Sequence, residues 1–439
     1  MQLTLDEIAK VLGSSQTLDS RQVTGFAIDS RATNHDEAFF AIKGARVDGH
    51  DYADNAVKKG ASIIIAEKPL TCDVPVIITN STEEALIKLG HYYASKFQCE
   101  IVGITGSAGK TTTKELTAEM LSAKYKVAKN EGNRNTPIGL PMALRALQTD
   151  TEIFVAEMSG SYFEEIPTLL RIVKPRIGVV TNVGPSHLET LGSTDGVAKA
   201  KGELIKSLPA GGIAVLNADD PKVIGMSNLT KCKVVTYGIN SNANVFGRLV
   251  EDKVCVFAYG MTYTFRPKIP TVHFLYDVLA ASSVALEYGI DLRTCIETAE
   301  AFRPIEGRGV VITNSLGVNI IDESYNANPV SMKETLRMLS QRPGKRFAVL
   351  ADMLQLGEDA VKLHREVGEY AESLRLDGVF LFGNLSSELS KIIGRSQAFD
   401  TKESLMEALK SKLGPGDWVL VKGSNGMGMK EVVASLATL

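Results

Sequence analysis

Residues 101–121 constrain the fold of this chain more than any other stretch. They open with the apolar run Ile101-Val102-Gly103-Ile104, which is typical of a buried strand. A glycine-rich turn and a Lys-Thr-Thr sequence follow: Gly106, Ser107, Ala108, Gly109, Lys110, Thr111 and Thr112. Helical periodicity then begins at Thr113. A strand, a glycine loop and a helix that starts with Lys-Thr form a phosphate cradle, so the sequence predicts nucleotide binding on an α/β fold.

The residue types in this phosphate loop fit defined tasks around a nucleotide. Backbone N–H groups and the helix N-terminus would face the phosphates, Lys110 would reach the terminal ones, and the Thr111 hydroxyl would contact Mg²⁺. The alternative is a plain glycine turn before an ordinary helix. The common spacing of such loops has glycine where Ile104 stands. This departure indicates a particular subgroup of phosphate-loop enzymes.

Composition excludes several other classes of protein. The chain has 439 residues and a net charge of −3, so it has no overall positive field for nucleic acid. Its five cysteines are scattered without a C-x-x-C pair, which argues against a disulfide framework and a zinc site. No apolar run approaches the roughly 18 residues that span a bilayer. We therefore expect a cytoplasmic protein without membrane insertion.

The pattern of strands and helices divides the chain into three α/β domains. Residues 1–80, 81–309 and 310–439 each alternate short apolar runs with helical segments. The central domain is predicted to have a mostly parallel sheet with helices on both faces, and the last domain is predicted to be Rossmann-like. Because the last domain lacks G-x-G-x-x-G, we do not predict a dinucleotide site there.

Polar residues follow two predicted strands of the first domain. Ser30 and Arg31 follow the first apolar run, and Gly44 and Asp48 follow the second. Loops at the strand ends of α/β sheets commonly hold ligands, and a hydroxyl beside an arginine can bind a diphosphate. The alternative is a strand-end turn with a solvated arginine.

Glu157, His187 and two lysines lie where strands of the central sheet should end or helices begin. Glu157 ends one apolar strand, and His187 lies in the loop after the next. A carboxylate suits Mg²⁺, whereas histidine is a less usual ligand for this ion. Lys199 and Lys201 lie two positions apart on a predicted helix, so at most one of them should enter the site. Taken singly, each of these residues could also be an ordinary solvated side chain.

The start of the last domain carries a further set of polar residues. Arg308 lies between two glycines in a predicted hinge-like turn, where it could reach a phosphate or be solvated. The first strand of this domain is followed by a polar loop with four candidate binding residues: Asp322, Tyr325, Asn326 and Asn328. Loops at this edge of a doubly wound sheet are the usual place for ligands.

Three motifs resemble the Mur ligase superfamily. The run Gly106-Ser107-Ala108-Gly109-Lys110-Thr111 is similar to the phosphate loop of that superfamily, and residues 322–332 and 349–358 resemble one branch of it. The resemblance covers essentially the whole chain, including residues 29–31 and 44–50 of the first domain. It implies a three-domain ligase in which the domains bind, in chain order, a UDP-sugar substrate, ATP and the acceptor.

The resemblance implies a metal centre beside ATP. Two Mg²⁺ ions would be held by four side chains: Thr111, Glu157, His187 and Lys201. Lys201 would carry a carbamate, which turns a cation into a carboxylate-like metal ligand. The residues implied in catalysis are Lys110, Glu157, His187 and Lys201.

The resemblance also implies contacts with ATP and the nucleotide-sugar. Arg308 would reach ATP from the hinge, and Asp277 would stand where relatives have an asparagine that contacts adenine. An aspartate can accept from the adenine amino group but cannot also donate to a ring nitrogen. Three residues of one loop would lie near the nucleotide-sugar: Asn133, Asn135 and Thr136.

The implied reaction is ATP-dependent amide formation through an acyl phosphate, with release of ADP and phosphate. The implied substrates are UDP-N-acetylmuramoyl-tripeptide and D-Ala-D-Ala, and we expect the enzyme to be a monomer. One alternative is a sister ligase that adds a single amino acid to the nucleotide-sugar or to folate. Another is a P-loop protein that uses ATP to switch its domain arrangement and forms no amide.

Overall fold

The computed structural model describes residues 3–44, 47–240, 242–268 and 271–439, and four β-sheets organise these residues. Each of the three predicted α/β regions contains one of the larger sheets, which confirms the fold class expected from the sequence. Divisions near residues 80 and 309 stay predictions about domain boundaries. Across the described ranges, no helix combines the length and apolar character needed to cross a membrane.

The first region contains a two-stranded ribbon and a four-stranded parallel sheet. The ribbon pairs β1 (Leu3–Thr4) with β2 (Gln22–Val23), and the sheet runs β3 (Gly25–Ala27), β4 (Glu37–Phe40), β5 (Ile63–Ala66), β6 (Val76–Ile78). Its helices are α1 (Leu5–Leu12) and α2 (Ala53–Lys58). Thr4 and Glu7 form a capping box at the start of α1. Helix α1 begins at Leu5, directly after the two residues, Leu3 and Thr4, that pair with β2.

Nine strands form the central sheet. They are β7 (Glu100–Thr105), β8 (Val127–Lys129), β9 (Ile153–Glu157), β10 (Ile177–Val180), β11 (Ile213–Asn217), β12 (Lys233–Gly238), β13 (Val245–Val250), β14 (Lys253–Ala258) and β15 (Met261–Phe265). Their order is β15-β14-β13-β12-β11-β10-β7-β9-β8. The pairs from β8 to β13 are parallel, whereas β13, β14 and β15 are antiparallel. The parallel part matches the prediction. The antiparallel strands were not predicted, because much of their surface is exposed and they lack long apolar runs.

Helices pack on both faces of the central sheet. They are α3 (Thr82–Ser95), α4 (Lys110–Leu121), α5 (Gly139–Ala143), α6 (Glu165–Ile172), α7 (Leu188–Leu191), α8 (Thr194–Lys206), α9 (Pro221–Ile224), α10 (Val272–Glu287) and α11 (Leu292–Ala301). Buried residues of α4, α10 and α11 share one core, and those of α3 and α6 share another with the first region. The small residues of α10, such as Ala281 and Ser282, are fully buried, and they let α10 pack closely against α4.

Six strands form the last sheet. They are β16 (Val310–Thr313), β17 (Asn319–Glu323), β18 (Arg346–Ala351), β19 (Gly378–Phe382), β20 (Ser396–Phe399) and β21 (Trp418–Lys422), in the order β16-β17-β21-β18-β19-β20. All pairs are parallel except β16 with β17. The helices are α12 (Pro329–Ser340), α13 (Ala360–Ser373), α14 (Asn384–Ser387), α15 (Lys402–Lys410) and α16 (Lys430–Ala437). Because β17 lies beside β21, Glu323 and Lys422 are register partners at the carboxyl ends of these strands.

Candidate active site

A cleft of about 900 Å³ lies between the central sheet and the last sheet. The phosphate loop lines one wall, including Ser107 and Lys110, and the loop after β17 lines the other, including Tyr325 and Asn328. Both loops follow the carboxyl ends of parallel strands, which is where α/β sheets bind ligands. The cleft therefore brings together residues that lie more than two hundred positions apart in the sequence.

Two glycines give the phosphate loop its shape. Gly106 has a φ of 152°, and a Cβ there would lie 1.8 Å from the hydroxyl oxygen of Thr181. Gly109 has a φ of 80°, and a Cβ there would lie 2.5 Å from Oδ1 of Asp277. Positive φ and close contact both exclude a side chain at these positions.

Thr181 and Asn182 hold the loop from the neighbouring strand β10. The Asn182 side chain accepts from the backbone N–H of Ala108 at 2.9 Å and donates to the Ala108 carbonyl at 3.1 Å. The Thr181 hydroxyl donates to the same carbonyl at 2.6 Å, and the Ser107 hydroxyl accepts from the backbone N–H of Gly184 at 3.0 Å. Asn182 was not among the predicted site residues, although its position two residues after β10 is a signal that could have found it.

Glu157 is buried at the end of β9, and both of its carboxylate oxygens accept hydrogen bonds. The Thr111 hydroxyl donates to Oε2 at 2.8 Å, and the Asn135 amide donates to Oε1 at 2.8 Å. Asn130 bonds to both the backbone N–H and the backbone carbonyl of Glu157. Nζ of the buried Lys114 lies 4.0 Å from Oε2. Three predicted site residues, Thr111, Asn135 and Glu157, are therefore in contact. Asn130 and Lys114, which were not predicted, lie against Glu157.

Two lysines on α4 face the site one helical turn apart. Nζ of Lys110 donates to the carbonyl of Gly106 at 2.8 Å. Burial lowers the pKa of Lys110, Glu157 opposes this shift, and Arg308 adds to it. Lys114 follows four residues later and is fully buried. The i, i+4 spacing from Lys110 is the signal that could have predicted its direction, since such positions share a helix face.

Lys201, and not Lys199, points into the protein interior. Lys201 is 1% exposed, and its Nζ lies 3.5 Å from the carbonyl oxygen of Gly160. Lys199 is exposed. Burial lowers the pKa of Lys201 to about 7, the charge of Lys110 acts in the same direction, and Glu165 opposes it. A substantial fraction of this amine is therefore uncharged near neutral pH.

His187 precedes α7 with a left-handed backbone, at a φ of 53°. Its Nδ1 lies 2.7 Å from Oε1 of Gln355, and its Nε2 lies 3.5 Å from the Ser161 hydroxyl. Burial lowers the pKa of His187 to about 4, and the charges of Lys110 and Lys201 act in the same direction. The imidazole is therefore neutral at neutral pH, which is the form that binds metal ions.

Asp277 lies against the phosphate loop, at the edge of the cleft. Its Oδ1 accepts from the Thr113 hydroxyl at 2.9 Å. Burial raises the pKa of Asp277 to about 8, while the Thr113 hydrogen bond and the charge of Arg308 oppose the shift. One of its oxygens is thus already engaged with α4, and the adenine contact expected at this position stays a prediction.

Arg308 lies in the predicted turn, between two glycines with left-handed backbones; the action of this turn as a hinge stays a prediction. The φ angles are 77° at Gly307 and 85° at Gly309. The guanidinium carbon lies 4.1 Å from the centre of the Tyr325 ring, and both residues line the cleft. Asp322 accepts from the backbone N–H of Gly307 at 2.9 Å and of Gly309 at 2.8 Å. Asp322 is buried and shapes this turn, and it is not among the lining residues.

The loop after β17 combines a helix cap with a buried ion pair. The Asn328 side chain accepts from the backbone N–H of Ser331 at 2.9 Å and caps α12. Nζ of the buried Lys422 donates to Glu323 at 2.9 Å and to the carbonyl of Asn326 at 3.1 Å. Lys422 was not among the predicted site residues, although it ends the last strand of a mostly parallel sheet.

The predicted nucleotide-sugar residues divide into two groups. Asn133, Asn135 and Thr136 line the cleft. Among the described residues, none before Ser107 in the chain lines the cleft. Four predicted contacts of the first region therefore lie outside it: Ser30, Arg31, Gly44 and Asp48. Arg31 pairs with Asp29 at 2.8 Å, and Asp48 pairs with His50 at 2.5 Å. A role for this second group in substrate binding stays a prediction.

The donor set suits a magnesium ion that shares its ligands with a nucleotide. In the part of the chain that the structure describes, no three His, Cys, Asp or Glu side chains lie close enough to hold a metal by themselves. The Thr111 hydroxyl and the Glu157 carboxylate are adjacent oxygen ligands of the kind Mg²⁺ prefers, and phosphate oxygens can complete such a shell. The ammonium form of Lys201 has no lone pair for a metal, whereas a carbamate on the neutral amine would offer oxygen ligands of the kind Mg²⁺ prefers.

Sequence profiles of a single family match along the chain. They are described as Mur ligase family, catalytic domain over residues 22–118, Mur ligase middle domain over 104–285, and Mur ligase, glutamate ligase domain over 307–425. These matches agree with a phosphate loop that faces a further α/β region across a cleft. The chain belongs to the Mur ligase family.

Individual relatives and solved structures resemble the chain over nearly its full length. UDP-N-acetylmuramoyl-tripeptide--D-alanyl-D-alanine ligase from Bacillus subtilis is 30% identical, over 98% of this chain and 96% of the relative. A crystal structure of MurF from Acinetobacter baumannii superimposes with a TM-score of 0.91 at 25% identity, covering 100% of this chain and 99% of that one. MurF ligase from Thermotoga maritima in complex with ADP gives a TM-score of 0.82 at 30% identity, covering 93% and 96%.

Proposed function

We propose that this protein is an ATP-dependent ligase that joins D-Ala-D-Ala to UDP-N-acetylmuramoyl-tripeptide. The cleft between the phosphate loop and the loop after β17 carries the proposal, because it offers one chamber to a nucleotide and an acceptor. The name of the Bacillus subtilis relative supports the choice of substrates. The ADP complex of the Thermotoga maritima protein supports the choice of nucleotide.

The proposed chemistry has two displacement steps. The terminal carboxylate of the tripeptide attacks the γ-phosphorus of ATP, the bond to the ADP oxygen breaks, and an acyl phosphate forms. The dipeptide amine then attacks the acyl carbon, phosphate leaves, and the nitrogen loses a proton. Lys110 and the N–H groups at the start of α4 stabilise negative charge on the phosphate oxygens in the first step.

Mg²⁺, when bound, neutralises charge on the phosphate oxygens and orients them for in-line transfer. Thr111 and Glu157 would hold one ion together with ATP, and His187 with a carbamylated Lys201 would hold a second. The pKa of about 7 supports this modification of Lys201, because only the neutral amine attacks CO₂. In that step a nitrogen–carbon bond forms and the nitrogen releases a proton. Gly160 leaves space there, since a Cβ would lie 3.2 Å from the lysine Nζ.

The remaining substrate contacts follow from the same proposal. Arg308, whose guanidinium carbon lies 4.1 Å from the centre of the Tyr325 ring, would reach the nucleotide when the last region docks. The UDP-sugar would extend from Asn133, Asn135 and Thr136 toward the first region, where Ser30, Arg31, Gly44 and Asp48 are available. One chain supplies both walls of the cleft, so a monomer suffices. Free thiols at all five cysteines fit the reducing cytoplasm in which ATP and nucleotide-sugars occur.

Phosphate release tests the proposal directly. We expect phosphate only when ATP, the muramoyl tripeptide and D-Ala-D-Ala are all present, with the amide product seen by mass spectrometry. Steady ATP hydrolysis with either substrate omitted would contradict the proposal. A sister ligase would accept a single amino acid in place of the dipeptide, and a switch protein would bind ATP without any amide product.

A further inference from the structure

Gln355 of the last region contacts His187 of the central region. Gln355 lies between β18 and α13 in the last region, whereas His187 precedes α7 in the central region. The two side chains meet at 2.7 Å, between the amide Oε1 and the imidazole Nδ1. A residue of the last region thus contacts the proposed metal ligand at its Nδ1 atom.

The chemistry of this contact sets the tautomer of the imidazole. The amide oxygen of Gln355 can only accept, so Nδ1 of a neutral His187 must carry the hydrogen. Nε2 then keeps its lone pair. Histidines that bind metals usually donate their other ring N–H to a carbonyl or carboxylate, which fixes the ring and raises its basicity. Gln355 supplies that acceptor from a different region of the chain.

The backbone around Gln355 holds the amide in place. Gln355 has a left-handed backbone with a φ of 62°, and its carbonyl accepts from the backbone N–H of Glu189 at 3.4 Å. A Cβ at Gly357 would lie 3.2 Å from the Glu189 backbone, so the two segments pack closely there. Within the last region, the backbone N–H of the preceding residue, Leu354, donates to the Ser424 hydroxyl at 2.9 Å.

We propose that Gln355 is a positioning residue that fixes His187 as the Nδ1–H tautomer and thereby couples docking of the last region to completion of the second metal site. The proposal rests on the proposed function for the use of a metal, but the contact itself does not. When the last region moves away, His187 loses its acceptor and the imidazole is free to turn and to change tautomer. Metal affinity then depends on the arrangement of the regions.

Two variants distinguish loss of the hydrogen-bond acceptor from a change in the size of the side chain. Gln355→Leu removes the acceptor, whereas Gln355→Glu keeps an oxygen at the same reach. ¹⁵N-histidine NMR of the metal-free protein reports the tautomer, and the His187 signal is assigned by its loss in His187→Gln. We expect the Nδ1–H form in the wild type and Gln355→Glu, and a shift toward the Nε2–H form in Gln355→Leu. An unchanged tautomer in Gln355→Leu would overturn the proposal.

Metal binding gives the second readout. Titration with Mn²⁺ in the presence of ADP, followed by electron paramagnetic resonance, should show about 10- to 100-fold weaker binding in Gln355→Leu. Gln355→Glu should restore the affinity, and the exposed Glu358→Gln in the same loop should leave it unchanged. Equal affinity in Gln355→Leu and the wild type would also overturn the proposal. Neither readout uses ligase turnover, so a protein that fails to form amide but shows both effects would contradict only the proposed function.

Discussion

The Asp277 carboxylate lies directly against Gly109, where an added Cβ would come within 2.5 Å of Oδ1. Asp277 lies on α10 and Gly109 precedes α4, so the close packing of these helices brings an acid to the turn that forms the phosphate loop. Burial raises the pKa of this acid to about 8. At neutral pH the group is therefore mostly protonated, and the loop does not face a full negative charge.

Asp277→Asn should change how stability depends on pH. The folded-state pKa of about 8 lies above the ordinary value of 3.8, so the stabilisation from Asp277 is present below pH 3.8 and is lost as pH rises through 8. Asparagine keeps an acceptor for Thr113 without titrating. The difference in free energy of unfolding, variant minus wild type, should therefore increase by up to about 1.4 kcal/mol per pH unit across this window. Urea unfolding at pH 5, 6, 7 and 8 measures it, with the exposed Asp150→Asn as control. A constant difference would contradict the pKa.

Gly106→Ala should abolish nucleotide binding and lower stability. The new Cβ would lie 1.8 Å from the Thr181 hydroxyl, so the loop must move out of its position. Gly192→Ala is the matched control, because Gly192 also has positive φ, at 74°, but nothing lies within 4 Å of its Cβ position. The free energy of unfolding of the control should fall by only about 1 kcal/mol, because of backbone strain. Fluorescent ADP binding and urea unfolding measure both effects, and equal losses in the two variants would show that contact with Thr181 does not matter.

The sequence predicted the parts of the site that depend on local pattern. The phosphate loop is contiguous, and its glycines are required by backbone shape, so residue types at fixed spacing were sufficient. Helical geometry placed Lys199 and Lys201 on different faces, the resemblance selected Lys201, and this lysine is buried in the structure. Strand ends were located because buried parallel strands are short apolar runs, which is how Glu157 was found.

Long-range contacts could not be predicted from local sequence patterns. The hydrogen bonds of Asn182 to Ala108 depend on which strands become neighbours in the sheet, and no local pattern encodes that order. The same holds for Gln355, which meets His187 only because two regions dock. Arg31 was predicted as a contact of the nucleotide-sugar in the first region; it does not line this cleft, and its role stays a prediction.

Lys201→Met should strongly lower ligase turnover while leaving the fold intact. If Lys201 carries a carbamate, its loss removes a metal ligand and should lower kcat on the order of 100-fold. Lys199→Met, two residues away and exposed, should stay near the wild type. With ¹³C-bicarbonate, a carbamate signal should appear in the wild type and in Lys199→Met and be missing in Lys201→Met. A signal that survives in Lys201→Met would assign the modification to another amine.

Tyr325→Leu should weaken ATP binding through Arg308. The guanidinium carbon lies 4.1 Å from the ring centre, a distance at which a cation–π contact contributes about 1 kcal/mol. Losing that contact frees the arginine and should raise KM for ATP by roughly fivefold, with a smaller change in kcat, because 1.4 kcal/mol corresponds to tenfold. Tyr325→Phe keeps the ring and should stay within about twofold of the wild type. If KM for ATP rises as much in Tyr325→Phe as in Tyr325→Leu, the phenol hydroxyl, and not the ring, is the group that acts.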